Sequence, residues 1–257
     1  MLDPMLLNRA GALVNRALGV LKLRRTWLKE LSDYYGGLTE AKFWERYARE
    51  RDNVNSLWGS RPRSREEEYR SFYAETDYFV LRQMYYNQNA CYFDVMDALE
   101  GKGAPRICEY GCGVAPVTAW VIGRVPDGHF TLVDLPTPAF EFARWRFRGR
   151  PNVEFLVPGL GDDLPLRNSY DVITCFDVLE HVINPLAVVK HLVCHLKPGG
   201  ELFVNFVYDP TEENLAESAA QRGTTLALLN ETLTARAALD PGSPEGGYGR
   251  YVKRAGA

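Results

Sequence analysis

The chain has 257 residues, 46% of them apolar and 25% charged, with a net charge of −3. This length holds one α/β domain of ordinary size with added elements, and the composition is that of a globular chain, not a disordered or fibrous one. The slight negative charge excludes a global basic field for nucleic acid, and no run approaches the roughly 20 apolar residues of a membrane span.

Residues 1–31 carry apolar positions at Leu6, Leu7, Leu13, Val14, Leu18, Leu21, Trp27, Leu28 and Leu31. Arg9, Arg16, Lys22, Arg24, Arg25 and Lys29 lie between them, against only Asp3 and Glu30. The apolar positions are not continuous and no small-residue cleavage site follows, so the segment reads as an amphipathic helix and not as a signal peptide. Two uses fit: packing on the body of the protein, or resting as a basic helix on an anionic membrane surface. Residues 59–64 (Gly-Ser-Arg-Pro-Arg-Ser) are a loop signal. From Arg65 to Leu99 the spacing predicts one helix, with Glu66, Glu67 and Glu68 in its first turn. Residues 1–100 therefore form a helical region, and 101–257 a second domain.

Past residue 100 the pattern changes. Strands are predicted at 106–110, 130–134, 153–157, 172–176 and 202–208. Helices are predicted at 137–148 and at 185–196, the latter with Pro185 in its first turn. In the tail, 211–221 reads as helix, 224–234 and 248–253 as strands, and 241–247 as a loop. Strand and helix in alternation mean a doubly wound α/β fold, with a mostly parallel sheet of about seven strands covered on both faces. The five cysteines, Cys91, Cys108, Cys112, Cys175 and Cys194, are odd in number and lie mostly in apolar runs. They read as buried free thiols of a reducing, cytoplasmic compartment, and their spacing does not form a zinc pattern.

The first strand of this region ends in Glu109-Tyr110-Gly111-Cys112-Gly113. In open parallel sheets, ligands bind outside the carboxyl ends of the strands. Two glycines let the backbone turn sharply and approach a ligand closely. In a dinucleotide-binding turn the following helix faces a pyrophosphate, which a carboxylate at position 109 would repel. A third glycine is also wanted at position 116, which is Pro116. S-adenosylmethionine carries an ammonium and a sulfonium and no phosphate, so it suits the acid better. Asp134, at the end of the second strand, can accept both ribose hydroxyls; that fits a nicotinamide cofactor as well as S-adenosylmethionine.

Further motifs follow in order: Asp162-Asp163-Leu164-Pro165-Leu166, Tyr170-Asp-Val-Ile173, Phe176-Asp-Val-Leu-Glu-His-Val182 and Leu196-Lys-Pro-Gly-Gly200. Together with the glycine turn and Asp134, they resemble the class I S-adenosylmethionine-dependent methyltransferases over roughly residues 100–208. The likeness is greatest to the broad group that contains the ubiquinone-biosynthesis O-methyltransferases. The resemblance implies a Rossmann-like fold and S-adenosyl-L-methionine as cofactor. Glu109 would hold the methionine amino end, with Gly111 and Gly113 close to the cofactor and Asp134 on the ribose. The usual adenine-binding acid is replaced by Leu160, which passes that role to Asp162 or Asp163. Phe176 and Asp177 would lie beside the methionine portion and the acceptor.

Methyl transfer from a sulfonium needs alignment and a dry pocket more than a covalent nucleophile. A hydroxyl acceptor also needs a base, for which His181 is best placed; its bland reading is a helix-start histidine that keeps local shape. Asp177, Glu180 and His181 resemble part of a metal cluster of plant small-RNA 2′-O-methyltransferases. That cluster adds a downstream histidine, and none follows His195, so no metal is expected. Tyr73, Tyr78, Arg82 and Tyr86 are the candidate cofactor or acceptor contacts on the aromatic helix, most of whose rings are expected to pack in a core. The basic run Arg144, Arg146, Arg148 and Arg150 reads as a solvated helix face before it reads as a nucleic-acid surface. The acceptor itself is not legible: a small molecule, a sugar or a lipid-linked intermediate all fit, the last with residues 1–31 at a membrane surface. A nicotinamide-dependent oxidoreductase and a non-catalytic methyltransferase-like binding protein are the competing readings.

Overall fold

A computed structural model describes residues 26–60, 65–87, 92–161, 164–207, 214–239 and 248–254. The chain divides into two compact units. One takes the described part of Met1–Phe93 with Gly113–Val121 and Pro136–Gly149; the other takes Asp94–Cys112, Ile122–Leu135 and the described part of Arg150–Ala257.

The first unit is helical. α1 (Thr26–Tyr35), α2 (Glu40–Ser60), α3 (Glu66–Ala74) and α4 (Tyr78–Tyr86) precede α5 (Phe93–Leu99), which begins at the border of the units. The continuous helix expected over 65–99 is thus three helices. Thr76 is the reason at the first break: its Oγ1 accepts the Tyr78 N–H at 3.0 Å, a local bond that competes with helix continuation. The second break includes residues 88–91, which lie outside the described residues. Of the amphipathic segment 1–31, only the part from residue 26 is described, as the start of α1. α6 (Pro116–Val121) and α7 (Pro138–Arg146) complete the unit. Thr137 caps α7 by accepting the Phe140 N–H at 3.2 Å, with Pro138 in its first turn. Trp27, Leu31, Phe43, Leu81, Met84, Val114 and Phe142 share one buried cluster. Each such side chain contributes about 1.5–3 kcal/mol by leaving water.

The second unit is built on a seven-stranded sheet: β1 (Arg106–Tyr110), β2 (His129–Val133), β3 (Val153–Leu156), β4 (Tyr170–Cys175), β5 (Leu196–Val204), β6 (Leu233–Ala237) and β7 (Gly249–Lys253). The order is β3-β2-β1-β4-β5-β7-β6. β1 to β5 pair in parallel, and β7 enters antiparallel between β5 and β6. α8 (Pro185–Cys194) and α9 (Ala216–Thr232) bury Val188, Val189, Leu192, Leu226 and Leu229 with strand residues such as Cys108, Ile173, Leu202 and Tyr251. Asn184 caps α8 through the Ala187 N–H at 3.0 Å.

The tail corrects one expectation: residues 224–232, read as the start of a strand, are helix. Ser218, Arg222, Thr225, Leu226 and Leu229 are buried at helical spacing. The threonine hydroxyls are satisfied inside the helix, Thr225 Oγ1 on Gln221 O at 2.9 Å and Thr232 Oγ1 on Leu228 O at 2.6 Å. Only from Leu233 does the strand begin. The Lys197–Gly200 turn lies inside β5, where the pairing with β4 shifts register between Tyr170 and Val172. Cys108, Cys112 and Cys175 are buried free thiols, Cys194 is exposed, and Cys91 lies outside the described residues. Among the described residues no helix is long and apolar enough to cross a membrane.

Candidate cofactor site

The register of the second unit decides where its strands end. Tyr110 pairs with Val133 on one side and Cys175 on the other. Gly111, Asp134 and Phe176 therefore follow from three adjacent strand ends at one level. β1 leads to β2 on one side while β4 lies on the other, so this is the point of the sheet where the strand order reverses and ligands bind.

Gly111 has φ +69°, and its N–H and that of Cys112 both donate to Val133 O, at 2.7 and 3.0 Å. A Cβ on Gly111 would fall 2.0 Å from Val178 Cγ2. The turn after β1 and the loop after β4 are thus in direct contact, and only glycine fits between them. Glu109 is buried at 4% exposure. Asp134 is half-buried, with its Oδ1 accepting the Leu135 N–H at 2.7 Å.

The field at these strand ends is negative. Burial first, and then the Asp134 and Glu109 carboxylates, hold the Cys112 thiol well above its usual pKa. Burial and then the Glu180 and Asp177 carboxylates do the same to Cys175. Acids gathered at these strand ends fit a ligand whose reactive centre is a cation.

Asp177 stands exposed with φ +54°, a conformation few non-glycine residues adopt. Asn205, just past β5, explains how it is held. Its Oδ1 accepts the Asp177 N–H and its Nδ2 donates to Asp177 Oδ1, both at 2.6 Å. Phe176 is half-buried against Tyr248, ring centroids 6.0 Å apart, and the Tyr248 hydroxyl donates to Asp94 Oδ2 at 3.2 Å. His181 is half-buried and closes a 3-10 turn, Leu179–His181, its N–H on Val178 O at 2.9 Å. α9 braces that turn: Ser218 Oγ donates to Leu179 O at 2.6 Å and Leu215 N–H to Glu180 O at 3.0 Å. Glu109, Gly111, Asp134, Phe176, Asp177 and His181 therefore all follow from or close to the carboxyl ends of β1, β2 and β4. Asp162 and Asp163 lie outside the described residues.

The remaining candidates belong to the helical unit. Gly113 has φ +49°. Tyr78 is a core residue packed on Tyr47 and Phe79, and Tyr73 is half-buried between Phe72 and Phe79. Arg82 lies 5.9 Å over the ring of the exposed Tyr86. The basic run is internally engaged: Arg144 covers Phe140 and pairs with Glu141, while Arg148 covers Trp145.

Sequence reasoning missed Val178, Asn205 and Gln83. Asn205 had a signal, being the one polar residue within Leu202–Val207. Gln83 had none, as it sits in an aromatic helix whose pattern concerns its neighbours.

Residues 108–202 match the model of a family described as a methyltransferase domain. Over these residues the chain is similar to class I S-adenosylmethionine-dependent methyltransferase domains. A ubiquinone biosynthesis O-methyltransferase of Idiomarina loihiensis is 32% identical over 111 residues, 42% of this chain and 43% of that protein. Its counterpart in Marinobacter nauticus is 29% identical over 120 residues, 45% of this chain and 48% of that protein. The match thus spans less than half the length of these relatives. An O-methyltransferase family protein from Burkholderia thailandensis shares the fold, with a TM-score of 0.54 at 16% identity, covering 95% of this chain and 83% of that one. S-adenosylmethionine is the cofactor of the family, and the residues present fit it: a glycine turn at the switch point, a half-buried acid at the end of β2, and a field that favours a cation.

Proposed function

We propose that the protein transfers the methyl group of S-adenosylmethionine to a hydroxyl or amine of a small-molecule, sugar or lipid-linked acceptor. The observation that carries this reading is the contact of Gly111 with Val178, which joins the turns after β1 and β4 at the switch point, with Glu109 and Asp134 at adjacent strand ends. When bound, the cofactor supplies an electrophilic methyl on a sulfonium. The chain supplies the rest. Glu109 holds the amino end, Asp134 the ribose, and Phe176 and Asp177 bound the methionine portion. Glycine at 111 lets the turn after β1 pack directly on Val178.

His181 takes the proton of a hydroxyl acceptor, since it follows β4 in a braced turn and an imidazole is a fitting general base. The names of both relatives, which are O-methyltransferases, support oxygen as the acceptor atom. Arg82 and Tyr86 are the members of the aromatic-helix set with surface to offer an acceptor, and residues 1–31 would bring a lipid-linked one within reach of a membrane. Calorimetry of the whole chain tests the core of this reading. Heat with S-adenosylmethionine and none with NAD is expected; no heat with S-adenosylmethionine overturns it. Sedimentation with anionic liposomes, with and without residues 1–31, tests the membrane part, and equal partitioning refutes it.

A further inference from the structure

Val114 directly follows the glycine turn and is only 1% exposed, so its peptide groups need partners within the protein. Both partners are side chains. Gln83 Oε1, on α4, accepts the Val114 N–H at 3.0 Å. Arg146 Nη1, at the end of α7, donates to Val114 O at 3.0 Å. Arg146 is itself oriented by Glu30 of α1, Nη2 to Oε2 at 2.7 Å. Three helices of the first unit thus converge on one residue. Gln83 also accounts for Gly113: a Cβ there would sit 2.0 Å from Gln83 Oε1, in a backbone already at φ +49°.

We propose that Gln83 and Arg146 are positioning residues of the cofactor turn, and that α1, α4 and α7 serve the S-adenosylmethionine site through them. This rests on the cofactor reading above. A residue fixed through both its N–H and its carbonyl leaves the preceding Gly113 little freedom. A turn shaped in advance loses less entropy when it takes a ligand. Neither side chain needs to touch the cofactor for its loss to weaken binding.

The probe is S-adenosylhomocysteine, titrated calorimetrically into the whole chain. Gln83→Leu removes the acceptor and is expected to weaken binding at least about fivefold, in line with one lost hydrogen bond. Gln83→Glu keeps an oxygen acceptor and should stay within about twofold, a rescue that a purely structural role for the side chain does not predict. Arg146→Gln should weaken binding like Gln83→Leu. A folded Gln83→Leu that binds like the parent overturns the proposal. If that variant does not fold, Arg146→Gln decides: a folded variant of unchanged affinity overturns it equally. A separate unfolding cycle tests the geometry without any ligand. Gly113→Ala should be less destabilising in a Gln83→Ala background, where the close contact is gone and only the φ strain remains; strict additivity refutes the clamp. If the parent gives no heat with S-adenosylhomocysteine, the cofactor reading fails by itself, while the cycle still reports whether Gln83 packs on Gly113.

Discussion

Gly111→Ala is the most informative single change, because two independent costs meet at one atom. The backbone sits at φ +69°, where a residue with a Cβ is destabilised by about 1–2 kcal/mol. The new methyl would also lie 2.0 Å from Val178 Cγ2, so Val178 or the strand ends must move. Overpacking of this kind typically costs about 1–3 kcal/mol. The sum is roughly 2–5 kcal/mol, a large part of the stability of an ordinary domain. At a slope of ~3 kcal/mol per M, the urea midpoint should fall by about 1 M with the slope unchanged. Val178→Ala in the same chain shortens the opposing side chain and should restore the packing share, leaving about 1–2 kcal/mol of backbone strain. Affinity for S-adenosylhomocysteine should fall in the single variant and partly recover in the double. A single variant whose midpoint stays within about 0.2 M of the parent refutes both the left-handed turn and the contact across the switch point. A double variant as unstable as the single refutes the contact alone.

Other perturbations probe the strand ends separately. Asp134→Ala should weaken cofactor binding more than about tenfold, the ~1.4 kcal/mol or more of lost charged hydrogen bonds, and unchanged affinity by calorimetry refutes the ribose assignment. Asn205→Ala removes both bonds to Asp177 and should lower stability by about 1–2 kcal/mol in urea; no change means the Asp177 turn holds itself. His191 gives a pH dependence. Its Nε2 accepts the Leu166 N–H at 3.1 Å, which requires a neutral ring. Burial first, then the neighbouring His195 and Arg167, lower its pKa from 6.5 to about 4. The unfolded chain therefore binds this proton at higher pH than the folded one. The stability from His191 is complete above about pH 6.5 and lost as the pH falls toward about 4. Melting temperatures taken from about pH 7 to about pH 5 should fall in the parent and fall less steeply in His191→Leu; equal slopes refute the assignment.

The parts of the fold that were legible in the sequence are those in which local pattern and tertiary need agree. β1 was read at its observed limits, Arg106–Tyr110, because the run is closed at once by a glycine turn. α7 was read as 137–148, and its start is fixed locally by Thr137 and Pro138, a cap and a first-turn proline that act within four residues. The failures occur where a side chain answers to something distant. Thr224, Thr225, Thr232 and Thr234 raise strand propensity, yet the burial of Ser218, Arg222, Thr225 and Leu229 at helical spacing makes most of that stretch a helix. In the site, Glu109, Gly111 and Asp134 could be placed because strand ends fix them. Asn205 and Gln83 could not, because each holds a residue far away in the chain, Asp177 and Val114.

The same residues explain why a dinucleotide does not suit these strand ends. A fully parallel dinucleotide-binding sheet runs 3-2-1-4-5-6 and closes its first turn with a third glycine that brings helix and strand together. Here β7 runs antiparallel between β5 and β6, and the third glycine's place is taken by Pro116, which opens α6. α6 is only six residues long, so its N-terminus offers an anion little of the dipole that a long helix would. Glu109 is buried, and the Cys112 thiol is held protonated by burial and by the Asp134 and Glu109 carboxylates. A pyrophosphate would have to enter this field with its charge uncompensated. A sulfonium and an ammonium would be attracted by it. The acid at the end of β2 is common to both ligand classes and decides nothing. The buried acid at the end of β1 and the proline at 116 separate them, and both point to the methyl donor.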